Sequence, residues 1–192
     1  MATDLLIHLF GYGGLRRGEA VTLRRENILW NEFSLVVYGK NRKEREVVPH
    51  PNLWPALEDW DAHFEKKFGH VPKSGLLILN EDGDPLTPKA INDKFRRLRA
   101  EFQKIYPGKK LSPHPLRHTF ATIMSNLDMP LTQLQAVMGH NDQSTTQGYI
   151  GTTTRHAKEF MSKLRASGLE NGVKKIQEID EDTVLESIIA GH

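Results

Sequence analysis

The nine residues His114–Thr122, HPLRHTFAT, place two histidines and an arginine within five positions, directly before a run of helical periodicity. His114 stands between Pro113 and Pro115. The helical conformation is disfavoured before proline, and proline is favoured at the first helical position, so we predict that His114 caps a helix begun by Pro115. Arg117 then lies in the first turn, where free backbone N–H groups and the helix dipole favour an anion. The stretch therefore predicts a phosphate or carboxylate site.

A metal site is an alternative interpretation of the same stretch. His114 and His118 are four residues apart, the spacing of zinc-binding helices. No glutamate follows His114, and a histidine that caps the helix would not share a helical face with His118. His118 alone is also compatible with a hydrogen-bonded histidine of the core. We therefore expect no metal and no other cofactor.

Composition limits the possible classes of protein. With 192 residues and 38% hydrophobic content, the chain can form one ordinary globular core. It has no apolar run of membrane-spanning length and no charged-then-apolar leader, so we expect a soluble intracellular protein with no membrane partner. The absence of cysteine removes disulfides, thiolate nucleophiles and zinc–thiolate sites.

Charge is distributed unevenly along the chain. Residues 169–192 hold six carboxylates and two lysines, a net charge of −4, and because the whole chain carries +2, residues 1–168 carry +6. A basic body favours a polyanionic partner, although a solvated surface can have the same composition. We predict one domain over 1–166, followed over 167–192 by a hinge and an acidic amphipathic tail. The apolar side chains of this tail either fold back on their own domain or dock on a neighbouring protomer.

Hydrophobic periodicity predicts a mainly α fold with a small antiparallel β-sheet. The alternation in FSLVVYG at 33–39 and in REVVP at 45–49 predicts a hairpin with a basic tip, and GLLILN at 75–80 predicts a further short strand. Helices are predicted over 4–12, from about 18, over 55–68, 87–104, 116–127 and 131–138, in a short segment carrying Tyr149, and over 154–166.

Three further segments carry groups that suit an anionic substrate. GGLRRGE at 13–19 places Arg16 and Glu19 three residues apart after a glycine turn, and YGKNRKER at 38–45 places Lys40 at the hairpin tip. MGHNDQSTTQGYI at 138–150 places His140 after a glycine and Tyr149 nine residues later. Each residue alone also fits a structural role, as a solvated arginine, an edge-protecting lysine or a packed tyrosine.

Taken together, these segments resemble the catalytic domain of the tyrosine recombinases, the phage integrase family, over about residues 5–163. GLRRGE is similar to the first arginine box, VVYGKNRKEREVVP to the lysine hairpin, HPLRHTFAT to the histidine and second arginine box, MGH to the second histidine, and TTQGYI to the tyrosine box. The resemblance implies the catalytic-domain fold of that family. It also implies a site-specific recombinase that cuts and rejoins DNA strands through a covalent 3′-phosphotyrosyl intermediate without metal.

The resemblance also implies the roles of the central residues. Tyr149 would be the nucleophile, and Arg16 and Arg117 would clamp the target phosphate. Forked guanidiniums bind non-bridging oxygens in pairs and stabilise the charge that spreads in the transition state, so they substitute for magnesium. Lys40 would protonate the departing sugar oxygen, with Lys43 as the alternative donor.

The remaining predicted site residues have supporting roles. His114 and His140 would assist the reaction, and which of them does what stays open. Glu19 and His118 would support the site without reacting, and the basic residues Arg42 and Lys43 of the hairpin would contact DNA. The partners implied are double-stranded DNA and further copies of the chain, as a tetramer on paired sites joined in part by the tail. The implied location is the cytoplasm, at the nucleoid, for a protein of a prokaryote or a phage.

The chain departs from the family pattern in places, and alternative functions stay open. Gly13 replaces the usual threonine and would loosen its turn, and the DNA-clamping domain that usually precedes the catalytic domain is absent, so we expect a catalytic fragment. A nicking-closing topoisomerase would share the chemistry but rejoin the same strand. A silent DNA-binding module or a metal hydrolase would only mimic the motifs.

Overall fold

The computed structural model describes residues 2–39, 44–71, 75–105, 107–108, 111–139 and 147–166. Its helices are α1 (Ala2–Gly11), α2 (Arg17–Thr22), α3 (Leu53–Phe68), α4 (Pro88–Ile105), α5 (Pro113–Asn126), α6 (Leu131–Met138) and α7 (Gln147–Ala166). Its strands are β1 (Ile28–Leu29), β2 (Ser34–Tyr38) and β3 (Glu44–Val47), and a 3-10 turn covers Arg25–Asn27. The predicted mainly α fold with a small antiparallel sheet is confirmed. The predicted hinge and tail lie outside the described residues.

The three strands form one antiparallel sheet in the order β1-β2-β3. Leu35 pairs with Val47 and Val37 with Arg45, so these four side chains share one face of the sheet. Leu35, Val37 and Val47 are buried, as the alternating sequence predicts. The same register turns Arg45 toward the interior, which the sequence alone did not indicate.

Two hydrophobic clusters form the core. The first joins α1, α2, α3, α4 and the sheet. The second joins α5, α6 and the C-terminal half of α7 with Val48. Helix α1 packs on both α3 and α5, and the α1–α2 turn lies directly on α5. A Cβ on Gly14, whose φ is +61°, would lie 2.6 Å from Cδ1 of Phe120. The glycine turn therefore brings the start of α2 against α5.

The turn at Gly13 is tight, so the expectation that this glycine would loosen it is wrong. A Cβ on Gly13 would lie 2.6 Å from the carbonyl oxygen of Leu9. The backbone N–H groups of Tyr12 and Gly13 both donate to the carbonyl of His8, at 2.8 and 3.0 Å. A threonine side chain would not fit this arrangement without a shift of the backbone.

Helix α5 begins two residues earlier than predicted. Ser112, with φ −162°, is the N-cap, and Pro113 is the first helical residue. Both Pro113 and Pro115 are tolerated because N–H groups of the first turn have no acceptor within the helix. His114 is therefore a helical residue and not the cap.

Two other elements differ from prediction. Residues 75–80 form only isolated bridges, because Leu77 donates to the carbonyl of Leu23 whereas Ile78 accepts from the N–H of Leu86. The segment thus pairs with two different parts of the chain and builds no continuous strand. The two helices predicted around Tyr149 and over 154–166 are one helix, α7. Among the described helices, none is long and apolar enough to cross a membrane.

Candidate active site

Arg16 lies at the N-cap of α2, in an extended conformation with φ −77° and ψ 153°. This conformation ends the glycine turn and directs the side chain toward the end of α6. Nη1 donates to Oε1 of Glu19 and Nη2 donates to the carbonyl of Gly139, both at 2.9 Å. The side chain is 44% exposed, so the guanidinium is held by the protein and remains open to a ligand.

Arg117 lies in α5 and is only 7% exposed. Its Nη1 donates to the carbonyl of Gly14, and its Nη2 donates to the carbonyl of Met138. Burial, followed by the charges of Arg16 and Arg45, lowers the pKa of Arg117 to about 10. This pKa is far above neutral pH, so the guanidinium stays charged.

Glu19 is the buried carboxylate on which the arginines converge. Its Oε2 accepts from the backbone N–H of Arg16 at 2.7 Å, and it also accepts from the Arg16 side chain. Arg45 binds both of its oxygens, with Nε to Oε1 at 3.0 Å and Nη2 to Oε2 at 2.8 Å, and Nη1 of Arg117 lies 3.9 Å from Oε2. Burial raises the pKa of Glu19, but the bonds from Arg45 and Arg16 outweigh it and leave this pKa below its usual 4.5.

Arg45 was missed by sequence reasoning. Its side chain is 15% exposed and also donates, through Nη1, to the carbonyl of Val137 near the end of α6. The available signal was its position in the hairpin, since a register that pairs residue 45 with the inward-facing Val37 places a charged side chain inside. That register depends on the hairpin tip, which the alternating pattern does not specify.

His114 and His118 are both exposed and touch each other on α5. Their Nε2 atoms lie 2.9 Å apart, and their rings meet edge to face at 89°. The geometric objection to a metal site was therefore wrong, because the two histidines share a helical face. Burial, then His114, then Arg117, lower the pKa of His118. Within the described parts of the chain, no group of three or more metal-ligating side chains occurs.

Arg16, His114 and Arg117 open onto one cleft of about 560 Å³. The cleft lies between the start of α2, the second turn of α4 and the start of α5. At its rim, Nη1 of Arg17 donates to Oδ1 of Asn92 at 2.9 Å. The structure thus brings together three of the six predicted catalytic residues, together with the predicted supporting residues Glu19 and His118.

For the other predicted site residues, the structure describes at most the backbone. Lys40, Arg42, Lys43 and His140 lie outside the described residues. Tyr149 is the third residue of α7, and only its backbone is described. Their roles stay predictions.

The C-terminal half of α7 is anchored to the same chain. Nζ of Lys158 lies 2.7 Å from Oε2 of Glu32 and also pairs with Glu46 of β3. The guanidinium of Arg165 lies 3.3 Å from the centroid of the Phe33 ring. Ala157 and Met161 are buried in the second cluster. The C-terminal half of α7 is therefore held in place by contacts with its own chain.

Comparison with solved structures identifies the fold as that of tyrosine recombinases. The crystal structure of XerA recombinase superposes with a TM-score of 0.58 at 23% identity, over 81% of this chain and 61% of that one. The XerH site-specific recombinase bound to difH substrate gives a TM-score of 0.55 at 24% identity, over 87% and 44%.

Sequence comparison then identifies the family. Residues 1–156 match the phage integrase family. The tyrosine recombinase XerA of Pyrococcus furiosus is 32% identical over 169 residues, which are 88% of this chain and 56% of that protein. The chain belongs to the phage integrase family, and it spans about half the length of the curated relatives it matches.

Proposed function

We propose that the chain is the catalytic part of a site-specific DNA recombinase that uses Tyr149 as nucleophile and needs no metal. The observation that carries this proposal is the pair of guanidiniums, Arg16 and Arg117, at one cleft. Glu19 holds Arg16, and the carbonyls of Gly14 and Met138 hold Arg117. A phosphodiester is the substrate that two fixed guanidiniums suit best, because their planar forks match its non-bridging oxygens.

The site can stabilise charge without a divalent ion. Each terminal nitrogen of an arginine carries two N–H groups. The bonds from Arg16 to Glu19 and Gly139, and from Arg117 to Gly14 and Met138, each use one of them. The second N–H groups then suit the phosphate oxygens, where charge develops during attack. Preorganised donors of this kind need no rearrangement during the reaction.

The proposed reaction is a reversible exchange of phosphate esters. The Tyr149 oxygen attacks the phosphorus and gives its proton to His114 or another base, while the sugar 5′ oxygen leaves and takes a proton from Lys40 or Lys43. The product is a 3′-phosphotyrosyl ester and a free 5′ hydroxyl. Attack by the 5′ hydroxyl of another strand reverses these steps and reseals the DNA.

The partners and location are proposed in the same way. Double-stranded DNA fits the basic body of the chain, which carries +6 over residues 1–168. The related XerH structure contains its difH substrate. We propose four copies on two paired DNA sites in the cytoplasm, joined in part by residues 167–192, and contacts of Arg42 and Lys43 with the DNA backbone.

A nicked suicide duplex tests the proposal. Cleavage beside a nick releases a short strand, so the covalent complex accumulates and can be separated from free DNA on a denaturing gel. With a pool of nicked duplexes of varied sequence in EDTA, we expect an adduct with the wild-type protein and none with Tyr149→Phe. An adduct formed equally by Tyr149→Phe, or a strict need for Mg²⁺, would contradict it. Relaxation of supercoiled plasmid without strand exchange would instead indicate the topoisomerase.

A further inference from the structure

Arg45 connects three segments that carry, or lead to, predicted site residues. It belongs to β3, on the strand that follows the hairpin tip carrying Lys40. Through Nε and Nη2 it binds both oxygens of Glu19 in α2, and through Nη1 it binds the carbonyl of Val137 in α6. A single side chain therefore ties the hairpin to the start of α2 and to the end of α6 that leads to His140.

The end of α6 is shaped around this side chain. Gly139 has φ +64°, and a Cβ there would lie 2.9 Å from Cδ and 3.0 Å from Nε of Arg45, and 3.2 Å from Nη1 of Arg16. Only a residue without a Cβ leaves both arginines in place while its carbonyl accepts from Arg16 at 2.9 Å. Arg45 is thus packed against the same backbone that holds Arg16.

The contacts of Glu19 show what Arg45 does for its neighbours. The carboxylate faces three guanidiniums but is bound at both oxygens only by the side chain of Arg45. The side chain of Arg16 touches one oxygen, and the Nη1 of Arg117 stays 3.9 Å away. Without Arg45, a buried carboxylate would seek the N–H groups of the other two arginines, because an unpaired buried charge is costly. Those N–H groups would then turn away from the cleft.

We propose that Arg45 is a positioning residue of the phosphate site: it occupies the Glu19 carboxylate so that Arg16 and Arg117 present their remaining N–H groups to the scissile phosphate. This inference rests on the proposed function, since it concerns the same reaction. Arg45 touches no substrate in this scheme and acts only through the other two arginines.

The test compares Arg45→Met with wild type on two nicked duplexes that differ only at the scissile position. One carries the normal phosphate, and the other carries a methylphosphonate, in which a methyl group replaces one non-bridging oxygen and removes the negative charge. DNA affinity and the single-turnover rate of adduct formation are measured for each. On the phosphate we expect a rate loss of about 10- to 100-fold, by analogy with the removal of groups that orient metal ligands, with an unchanged dissociation constant.

The methylphosphonate separates positioning from a general loss of structure. If Arg45 acts through the guanidiniums that meet the phosphate charge, its removal matters much less on the neutral ester. We therefore expect the variant and the wild type to differ by less than about threefold there, since the interaction that the arginines supply is largely electrostatic. A variant that is equally slow on both duplexes would show a merely structural role and overturn the proposal.

Two further variants control for folding. Arg25→Met removes another buried arginine, which pairs with Asp61 and lies over the ring of Phe64 away from the cleft. We expect it to lower the melting temperature but to keep the cleavage rate of wild type. Arg45→Lys keeps the charge but cannot bind both Glu19 oxygens and Val137 together, and it should show the same phosphate-selective defect.

The outcomes distinguish this inference from the proposed function. No adduct with wild-type protein on any phosphate duplex would contradict the function itself. An adduct with wild type, formed at the same rate by Arg45→Met and Arg45→Lys, would leave the function standing and refute the role of Arg45.

Discussion

Arg117 and Gly14 are 103 residues apart in the sequence, yet the guanidinium of Arg117 donates a hydrogen bond to the carbonyl of Gly14. Gly14 belongs to the turn that places Arg16 at the start of α2. The position of one guanidinium therefore depends on the backbone that carries the other. The pair is built as a unit, and the first two predictions follow from this.

Arg117→Lys should lose about 10²- to 10³-fold in the rate of adduct formation, the loss found when a preorganised donor to a developing charge is removed. A lysine nitrogen cannot reach the carbonyls of Gly14 and Met138 and also two phosphate oxygens. Single-turnover cleavage of a nicked duplex measures the rate. Arg25→Lys, at a buried site outside the cleft, should cleave like wild type. An Arg117→Lys variant that cleaves at the wild-type rate would contradict the proposed binding of the phosphate by the paired guanidiniums.

Gly14→Ala should destabilise the protein by about 1–3 kcal/mol, because φ +61° is strained for a residue with a Cβ, and because that Cβ would meet Phe120. The matched control is Gly18→Ala, where a Cβ within α2 would have no atom within 4 Å. That change should be neutral or stabilising, as alanine favours a helix. Urea denaturation of both variants gives the free energies of unfolding, and equal values would refute the role of the turn.

Glu19→Gln should change how stability depends on pH. The pKa of Glu19 is lowered in the folded state, so the folded protein binds fewer protons than the unfolded chain as pH falls below 4.5. The stabilisation from Glu19 is therefore present above its unfolded pKa and lost as pH falls through the folded pKa. We expect wild type to be the more stable at neutral pH and its advantage to shrink below pH 4.5. Melting temperatures from pH 3 to 7 provide the measurement, and a constant difference would contradict it.

His114→Gln should raise the pKa of His118. His114 is one of the groups that lower this pKa, after burial, and the two Nε2 atoms are 2.9 Å apart. Removing this charge interaction makes protonation of His118 easier. The titration of the His118 ring proton by NMR reports the pKa directly. His70→Gln, beyond the end of α3, serves as the control and should leave the His118 titration unchanged.

Local sequence patterns predicted the elements that depend on neighbours in the chain. The glycine turn before Arg16, the alternation in β2 and the helical run around Arg117 are all short-range signals, and each is present in the structure. The start of α5 was misplaced because the preference of proline for the first helical turn applied to Pro113 as well as to Pro115. His114 is therefore inside α5, where it shares a helical face with His118.

The network around Glu19 could not be read from the sequence. Arg45 is 26 residues from Glu19 and 92 from Val137, and its contacts require a particular hairpin register and the docking of α6 on β3. Long-range packing determines both. Long-range packing also explains why the two helices predicted near the C-terminus are one helix, α7. Buried Ala157 and Met161 stabilise this helix although its first turn includes the weak helix former Gly148.

Arg117 also stands where the two halves of the core meet. It donates to the backbone of Gly14, next to Leu15 of the first cluster, and to Met138 of the second. An anion bound by both Arg16 and Arg117 would therefore add a further connection between the two clusters, so that anion binding raises the stability of the folded domain.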